Sequence, residues 1–220
     1  MRRAGDEPFV VILHGIGQTR WNMLGIAWAL NKAGFEARPF GYPSLRHHTG
    51  ALAKHLSDYL EKTNVWSSGR PVHFVTHSMG GLVLRDYLAS SASPSDWEGR
   101  AVMIGPPHRG SEVADFMARL KPYHWFYGPA GLQLTTAWQD ATPARCDYPI
   151  GIIAGNAGWP YPVAQFLFDG PHDGRVAVER TRLDGMADHI VLPVSHAMLP
   201  WRRDVHRQIV AFLRTGRFER

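Results

Sequence analysis

The six residues Thr76-His77-Ser78-Met79-Gly80-Gly81 are where this sequence has the means for nucleophilic chemistry. They lie between an apolar, strand-like run from Val72 to Thr76 and a helical pattern from Leu82 to Ala89. A serine on a sharp strand-to-helix turn presents its hydroxyl above a sheet, and the tight turn needs small residues beside it. Gly80 and Gly81 supply them. The Met79 N–H, at the start of the helix, is a candidate donor to a developing oxyanion and gains from the helix N-terminus. A serine helix cap followed by glycines is the competing reading. Thr76 stands where the pattern G-x-S-x-G has its first glycine, so the turn must accept a β-branched side chain.

A second run, His14-Gly15-Ile16-Gly17, follows an apolar segment from Phe9 to Leu13. Its glycines let the backbone turn an amide toward a site, and the Ile16 N–H is the candidate second oxyanion donor. A dinucleotide loop is excluded, because the third glycine of G-x-G-x-x-G would fall at Arg20. A plain strand-to-helix turn stays open.

A serine hydroxyl needs a base, and the base needs a carboxylate to orient it. His196, in Pro193-Val194-Ser195-His196, sits between the last strand-like run and the closing helical pattern. His172, His189 and His206 compete, but His206 lies within the helical pattern and His189 within or beside a strand. Asp173, in the Gly/Pro-rich turn Asp169-Gly170-Pro171-His172-Asp173-Gly174, is the preferred acid, with Asp169 next and Asp184 and Asp188 behind.

The elements that must position these residues alternate along the chain, as in a mostly parallel α/β sheet. Strands are expected at 9–13, 35–40, 72–76, 101–104, 150–154 and 188–192, and helices at 21–33, 51–62, 82–89, 112–120 and 205–213. Gly34 is the expected end of the first helix. The segment from Gly110 to Pro149 is the least regular and carries the aromatic run Tyr123 to Tyr127. It and a second aromatic segment, Trp159 to Phe168, are candidates for loops over the C-terminal edge of the sheet, where ligands bind in open α/β sheets.

Together the chain resembles the compact, lipase-like branch of the α/β-hydrolase superfamily over about residues 8 to 215. The residues that carry the likeness are His14-Gly15-Ile16-Gly17, Thr76 to Gly81, Gly105-Pro106-Pro107-His108-Arg109-Gly110-Ser111, Asp173-Gly174 and Ser195-His196. The resemblance implies a cofactor-free esterase or lipase with Ser78 as nucleophile, His196 as base, Asp173 as orienting acid, and Ile16 and Met79 as oxyanion donors. Acyl transfer, thioester cleavage and a non-catalytic binding role on the same fold are the alternatives. The implied architecture is one minimal α/β-hydrolase domain over 1–220, with about six strands and helices on both faces. Cap or loop segments are expected near 111–149 and 156–170. Family members carry two strands before the one preceding the oxyanion loop, and only eight residues precede it here.

Composition narrows the rest. The 220 residues are 45% hydrophobic and 20% charged, as in an ordinary globular chain. The net charge is +5, and its densest cluster, Arg202, Arg203, Arg207, Arg214, Arg217 and Arg220, reads as the solvated face of a terminal helix. No nucleic-acid motif, P-loop or H-E-x-x-H occurs, so nucleic acid and metal are not expected. The expected partner is a small-molecule or lipid ester. Cys146 is the only cysteine and reads as a buried or half-buried side chain. Asp6, Glu7 and Pro8 interrupt any apolar leader, and no run nears the roughly 20 residues that span a bilayer. No stable membrane insertion is therefore expected, and a cytoplasmic location is.

Overall fold

A computed structural model describes residues 7–94, 97–141 and 148–220, so the expectation for Cys146 lies outside the described residues. Six strands form one sheet: β1 (Phe9–Leu13), β2 (Glu36–Phe40), β3 (Val72–His77), β4 (Ala101–Ile104), β5 (Ile150–Gly155) and β6 (Asp188–Leu192). Their order is β2-β1-β3-β4-β5-β6, and every neighbouring pair is parallel. The strands match the expected sheet to within a residue or two at each end.

The near-continuous apolar character of the inner strands follows from burial on both faces. Side chains alternate, so Phe9, Val11 and Leu13 of β1 join one core layer and Val10 and Ile12 the other. On the first face lie α2 (Thr49–Lys62), through Leu52, Leu56 and Leu60, and α3 (Gly80–Leu88), through Leu82, Val83 and Leu84. On the second lie α1 (Leu24–Lys32), through Ile26 and Leu30, and the final helix (Arg203–Thr215), through Val205, Ile209 and Phe212. A short 3-10 turn, Arg20–Met23, opens α1, and Gly34 with φ +86 follows its end.

Between β4 and β5 the helix expected at 112–120 is present, but the aromatic stretch after it departs from the expected loop. Among the described residues of this stretch are three helices, α4 (Glu112–Ala118), α5 (Lys121–Leu132) and α6 (Thr136–Asp140), which makes the final helix α7. The aromatic run Tyr123 to Tyr127 is thus helical. Aromatic residues are mediocre helix formers and show no 3.6-residue alternation here. Gly128 breaks the helical geometry (φ 55, ψ −158) just before Pro129, so two short helices meet at a kink. Pro122 in the first turn is compatible with a helix start. In the second aromatic segment, Pro162–Phe166 forms a 3-10 turn.

The C-terminal arginines are largely engaged. Arg202 pairs with Asp204 at 3.0 Å, Arg207 with Glu219 at 3.3 Å and Arg220 with Asp188 at 2.5 Å, while Arg214 donates to the Ala33 carbonyl at 2.6 Å. No helix among the described residues is long and apolar enough to cross a membrane.

Phe212 anchors α7 to the sheet: it is fully buried and lies 5.0 Å, centroid to centroid, from Phe218. Phe212→Ala should cost about 3–5 kcal/mol, the range for emptying a buried aromatic site. Urea unfolding of the two proteins measures it as a lowered midpoint.

Candidate active site

Five loops leave the C-terminal edge of the sheet and meet where the strand order reverses, between β1 and β3, the position at which open α/β sheets bind ligands. Ser78 follows β3 with φ +54, a left-handed conformation that a residue with a Cβ adopts at a cost of roughly 1–2 kcal/mol. The turn is held by the Ser78 N–H, which donates to the Ile104 carbonyl at 2.8 Å, and by Gly81 N–H to the Ser78 carbonyl at 2.9 Å. A Cβ at residue 81 would stand 2.9 Å from Pro106 Cβ, so glycine is what allows the close approach of the loop after β4, whereas Thr76 Oγ1 at 3.4 Å is at ordinary contact distance. The hydroxyl of Thr76 is buried and has no hydrogen-bond partner among the described residues.

The loop after β1 packs directly on this turn: a Cβ at Gly15 would lie 3.1 Å from Ser78 Cβ. His14 holds the loop. Its Nδ1 donates to the Gly15 carbonyl at 2.9 Å, its Nε2 accepts from the Tyr42 N–H at 3.4 Å, and its ring stacks on Tyr42 at 4.1 Å. The Tyr42 hydroxyl donates to the His14 carbonyl. Gly15 N–H donates to Gln18 Oε1 at 3.0 Å and Gly17 N–H to Ser44 Oγ at 3.1 Å. The amides on either side of Ile16 are thereby committed. Among the described residues, neither the Ile16 nor the Met79 N–H has an acceptor. Two free backbone donors beside one serine hydroxyl can stabilise an oxyanion.

Asp173 and His196 come together across 23 residues of sequence. His196 Nδ1 donates to Asp173 Oδ2 at 2.7 Å, with both side chains buried. The other carboxylate oxygen, Oδ1, accepts from the N–H groups of Arg175 (2.9 Å) and Val176 (2.8 Å). The loops are also joined by backbone, His196 N–H to the Asp173 carbonyl at 2.9 Å. With Nδ1 engaged, Nε2 is the nitrogen left for chemistry. Ser78 and His196 line the same cavity, with no hydrogen bond between the hydroxyl and the ring; such bonds are often loose before substrate binds.

The other candidates lie elsewhere. His206 is on α7 and donates to the Pro200 carbonyl at 2.8 Å, and His189 is on β6 beside Thr181 Oγ1 at 3.0 Å. His172 accepts from the Gly174 N–H at 3.1 Å and stacks on Phe168. Asp184 pairs with Arg109 at 3.0 Å, and Asp188 with Arg220.

Two residues that sequence reasoning passed over complete the site. His77 packs beside the His196 ring at 4.9 Å and faces two carbonyl oxygens, Gln18 Oε1 at 3.0 Å and that of His196 at 3.2 Å. Burial, with the neighbouring His196 second, holds its pKa well below the usual histidine value. A neutral imidazole has one N–H, so only one of the two oxygens can be its acceptor. Gln18 is the link between His77 and the loop after β1. His77 lies within one motif and Gln18 directly follows the other, but the sequence gives no sign of which way their side chains turn.

The cavity at Ser78 has a volume of about 240 Å³. Its apolar wall comes from Val113, Ala114 and Met117 of α4, Leu134 and Val176, with Tyr123, Tyr127 and Tyr161 beside them. The helices between β4 and β5 therefore supply much of the lining. A smaller cleft of about 210 Å³ shares Ile16, Ser78, Tyr127, Arg175 and His196 with it and continues past Gln18, His77 and Ala197. A wider groove of about 940 Å³ between α1 and α7 contains neither Ser78 nor His196. No group of three or more His, Cys, Asp or Glu among the described residues is arranged to hold a metal ion.

The chain has the α/β-hydrolase fold. It superimposes on the mature form of lipase BlEst2 of Bacillus licheniformis with a TM-score of 0.78 and 19% identity, covering 98% of this chain and 94% of that one. It is similar to the metagenomic carboxyl esterase MGS0156 (TM-score 0.69, 15% identity, 89% of this chain and 66% of that one). It is also similar to YbtT, a type II thioesterase of a yersiniabactin NRPS/PKS pathway (TM-score 0.63, 17% identity, 99% and 96%). In sequence it is 28% identical over 130 residues to "Probable esterase PIR7A" of Oryza sativa, a match over 54% of this chain. That match spans about half, 48%, of the rice protein. No protein-family profile matches the chain.

Two stability predictions follow from the buried polar groups. Thr76→Val keeps the shape and removes an unsatisfied hydroxyl, so it should raise stability by about 1 kcal/mol in urea unfolding. The second concerns acid. Burial lowers the pKa values of His14, His77 and His108, and those of His73 and His189 to about 4. The unfolded chain then binds more protons than the native one below about pH 6.5, so this stability is present above that pH and is lost as pH falls toward 4. The urea midpoint should decline steadily from pH 7 to 4.5; a flat profile is the contrary result.

Proposed function

We propose that the protein is a hydrolase of carboxylic esters that works through an acyl-serine intermediate on Ser78. The observation that carries this reading is the buried 2.7 Å bond from His196 to Asp173, with the imidazole lining the same largely apolar cavity as Ser78. Ser78 Oγ attacks the ester carbonyl while His196 Nε2 takes its proton. The Ile16 and Met79 N–H groups receive the negative charge that builds on the carbonyl oxygen, an effect worth about 3–4 kcal/mol per donor. The C–O bond to the alcohol breaks, and the leaving alkoxide takes the proton from His196. Water then attacks the acyl-serine, giving up a proton to His196, and the acid leaves as Ser78 regains its hydroxyl proton. Asp173 fixes the imidazole tautomer and stabilises its charged form.

The apolar wall suits an apolar acyl chain. The similarity to lipases and esterases, and the match to a rice protein named as a probable esterase, support an ester substrate.

Ser78→Ala should lower the turnover of 4-nitrophenyl butyrate on the order of 10⁴-fold or more with little change in the circular dichroism spectrum. A fluorophosphonate probe should label the wild type at Ser78, the serine oxygen displacing fluoride at phosphorus. Labelling mapped to another residue, or none in an active protein, overturns the assignment.

A further inference from the structure

Among the described residues, Arg175 is the single Lys, Arg, Asp or Glu side chain lining either of the two clefts at Ser78, and both clefts reach it. Its guanidinium has no carboxylate partner among the described residues. An exposed arginine is by itself ordinary; this one is held in place. Its N–H donates to Asp173 Oδ1 at 2.9 Å, and its carbonyl accepts from Ser111 Oγ at 2.5 Å. Its guanidinium carbon lies 5.6 Å from the centroid of the Tyr161 ring. That ring in turn rests on Gly174, where φ is +96 and a Cβ would stand 2.0 Å from Tyr161 Cδ2. The carboxylate that orients His196 thus also fixes the backbone that carries the cation.

We propose that Arg175 forms an anion subsite, and that the preferred substrates are esters whose alcohol portion carries a carboxylate or phosphate. The inference rests on the acyl-serine reading above and extends it to substrate class. The apolar wall of Val113, Ala114, Met117 and Leu134 takes the acyl chain, which leaves the smaller cleft past Gln18 and Ala197 to the alcohol. The leaving oxygen must depart beside His196, and Arg175 lines that cleft with it. A planar guanidinium presents paired donors to a carboxylate or phosphate, and here it forms no ion pair among the described residues. The Arg175 charge also contributes to lowering the pKa of His77, so its field reaches the residues around the hydroxyl.

The test uses 2-nitrophenyl butyrate and its 5-carboxy analogue, which differ by one negative charge on the leaving phenol. Each kcat/KM is normalised to spontaneous hydrolysis. The wild type should favour the anionic ester by about tenfold, the preference shrinking as salt rises to about 0.5 M. Arg175→Gln should collapse that ratio, chiefly by raising KM for the anionic ester, and Arg175→Lys should retain part of it. A second pair, 1-butyrylglycerol and 1-butyrylglycerol 3-phosphate, separates phosphate from carboxylate as the preferred anion. A wild-type ratio near one for both pairs, or a ratio that survives Arg175→Gln, overturns the subsite. If the Gln variant fails to fold, the salt series on the wild type and the Lys variant decide the matter. Turnover that depends on Ser78 but ignores charge sinks the subsite alone. No turnover of any of these esters, or turnover that persists in Ser78→Ala, sinks the acyl-serine reading as well.

Discussion

A single buried carboxylate organises the edge of this sheet. Asp173 has no contact with solvent, and an ionised group placed there stands only if hydrogen bonds replace the water it has lost. It has three: the His196 imidazole on one oxygen and two backbone amides on the other. The bond to His196 spans the loops after β5 and β6, and the amide bonds close the turn that carries Arg175 and Val176. Removing the carboxylate would free the ring and loosen that turn together. The partners of His14 follow the same logic, since one nitrogen donates and the other accepts, a pattern that only the neutral ring satisfies.

Much of this was legible in the sequence, because the physics involved is local. A strand buried on both faces has to be a short apolar run, so β1, β3, β4 and β5 announced themselves. A turn that lifts a serine needs glycines after it, which marked residues 78 to 81. Of the helices between β4 and β5, α4 was expected, while α5 and α6 were hidden for a reason equally physical. Tyr123 and Tyr127 line the cavity while Trp125 and Phe126 are exposed, so no clean 3.6-residue period appears, and Gly128-Pro129 reads as a loop until the kink is seen.

What the sequence could not supply was direction. His77 lies within the motif that singled out Ser78, yet nothing in its position says that it turns to Gln18 and to the carbonyl of His196. Arg175 was one arginine among many; what sets it apart is that it lines both clefts at Ser78 with no ion pair among the described residues, a property of the surroundings and not of the residue. Thr76 was read as a strain on the turn. The turn accommodates it, and its cost is an unsatisfied hydroxyl.

The parallel arrangement of all six strands has a kinetic consequence. Parallel neighbours cannot be joined by a hairpin, so each pairing waits for a crossover to form, and such topologies fold slowly. The two oxygens of Asp173 reach partners on loops from two strands, and the second, β6, is also the last to be synthesised and lies at the sheet's margin. The hydroxyl of residue 78 can be set on its turn by β3 and β4 alone, but the His196 imidazole arrives only when that marginal strand has docked. The arrangement of Ser78, Asp173 and His196 is therefore completed at the end of folding, and a chain stalled one strand short would keep most of its core while lacking the imidazole.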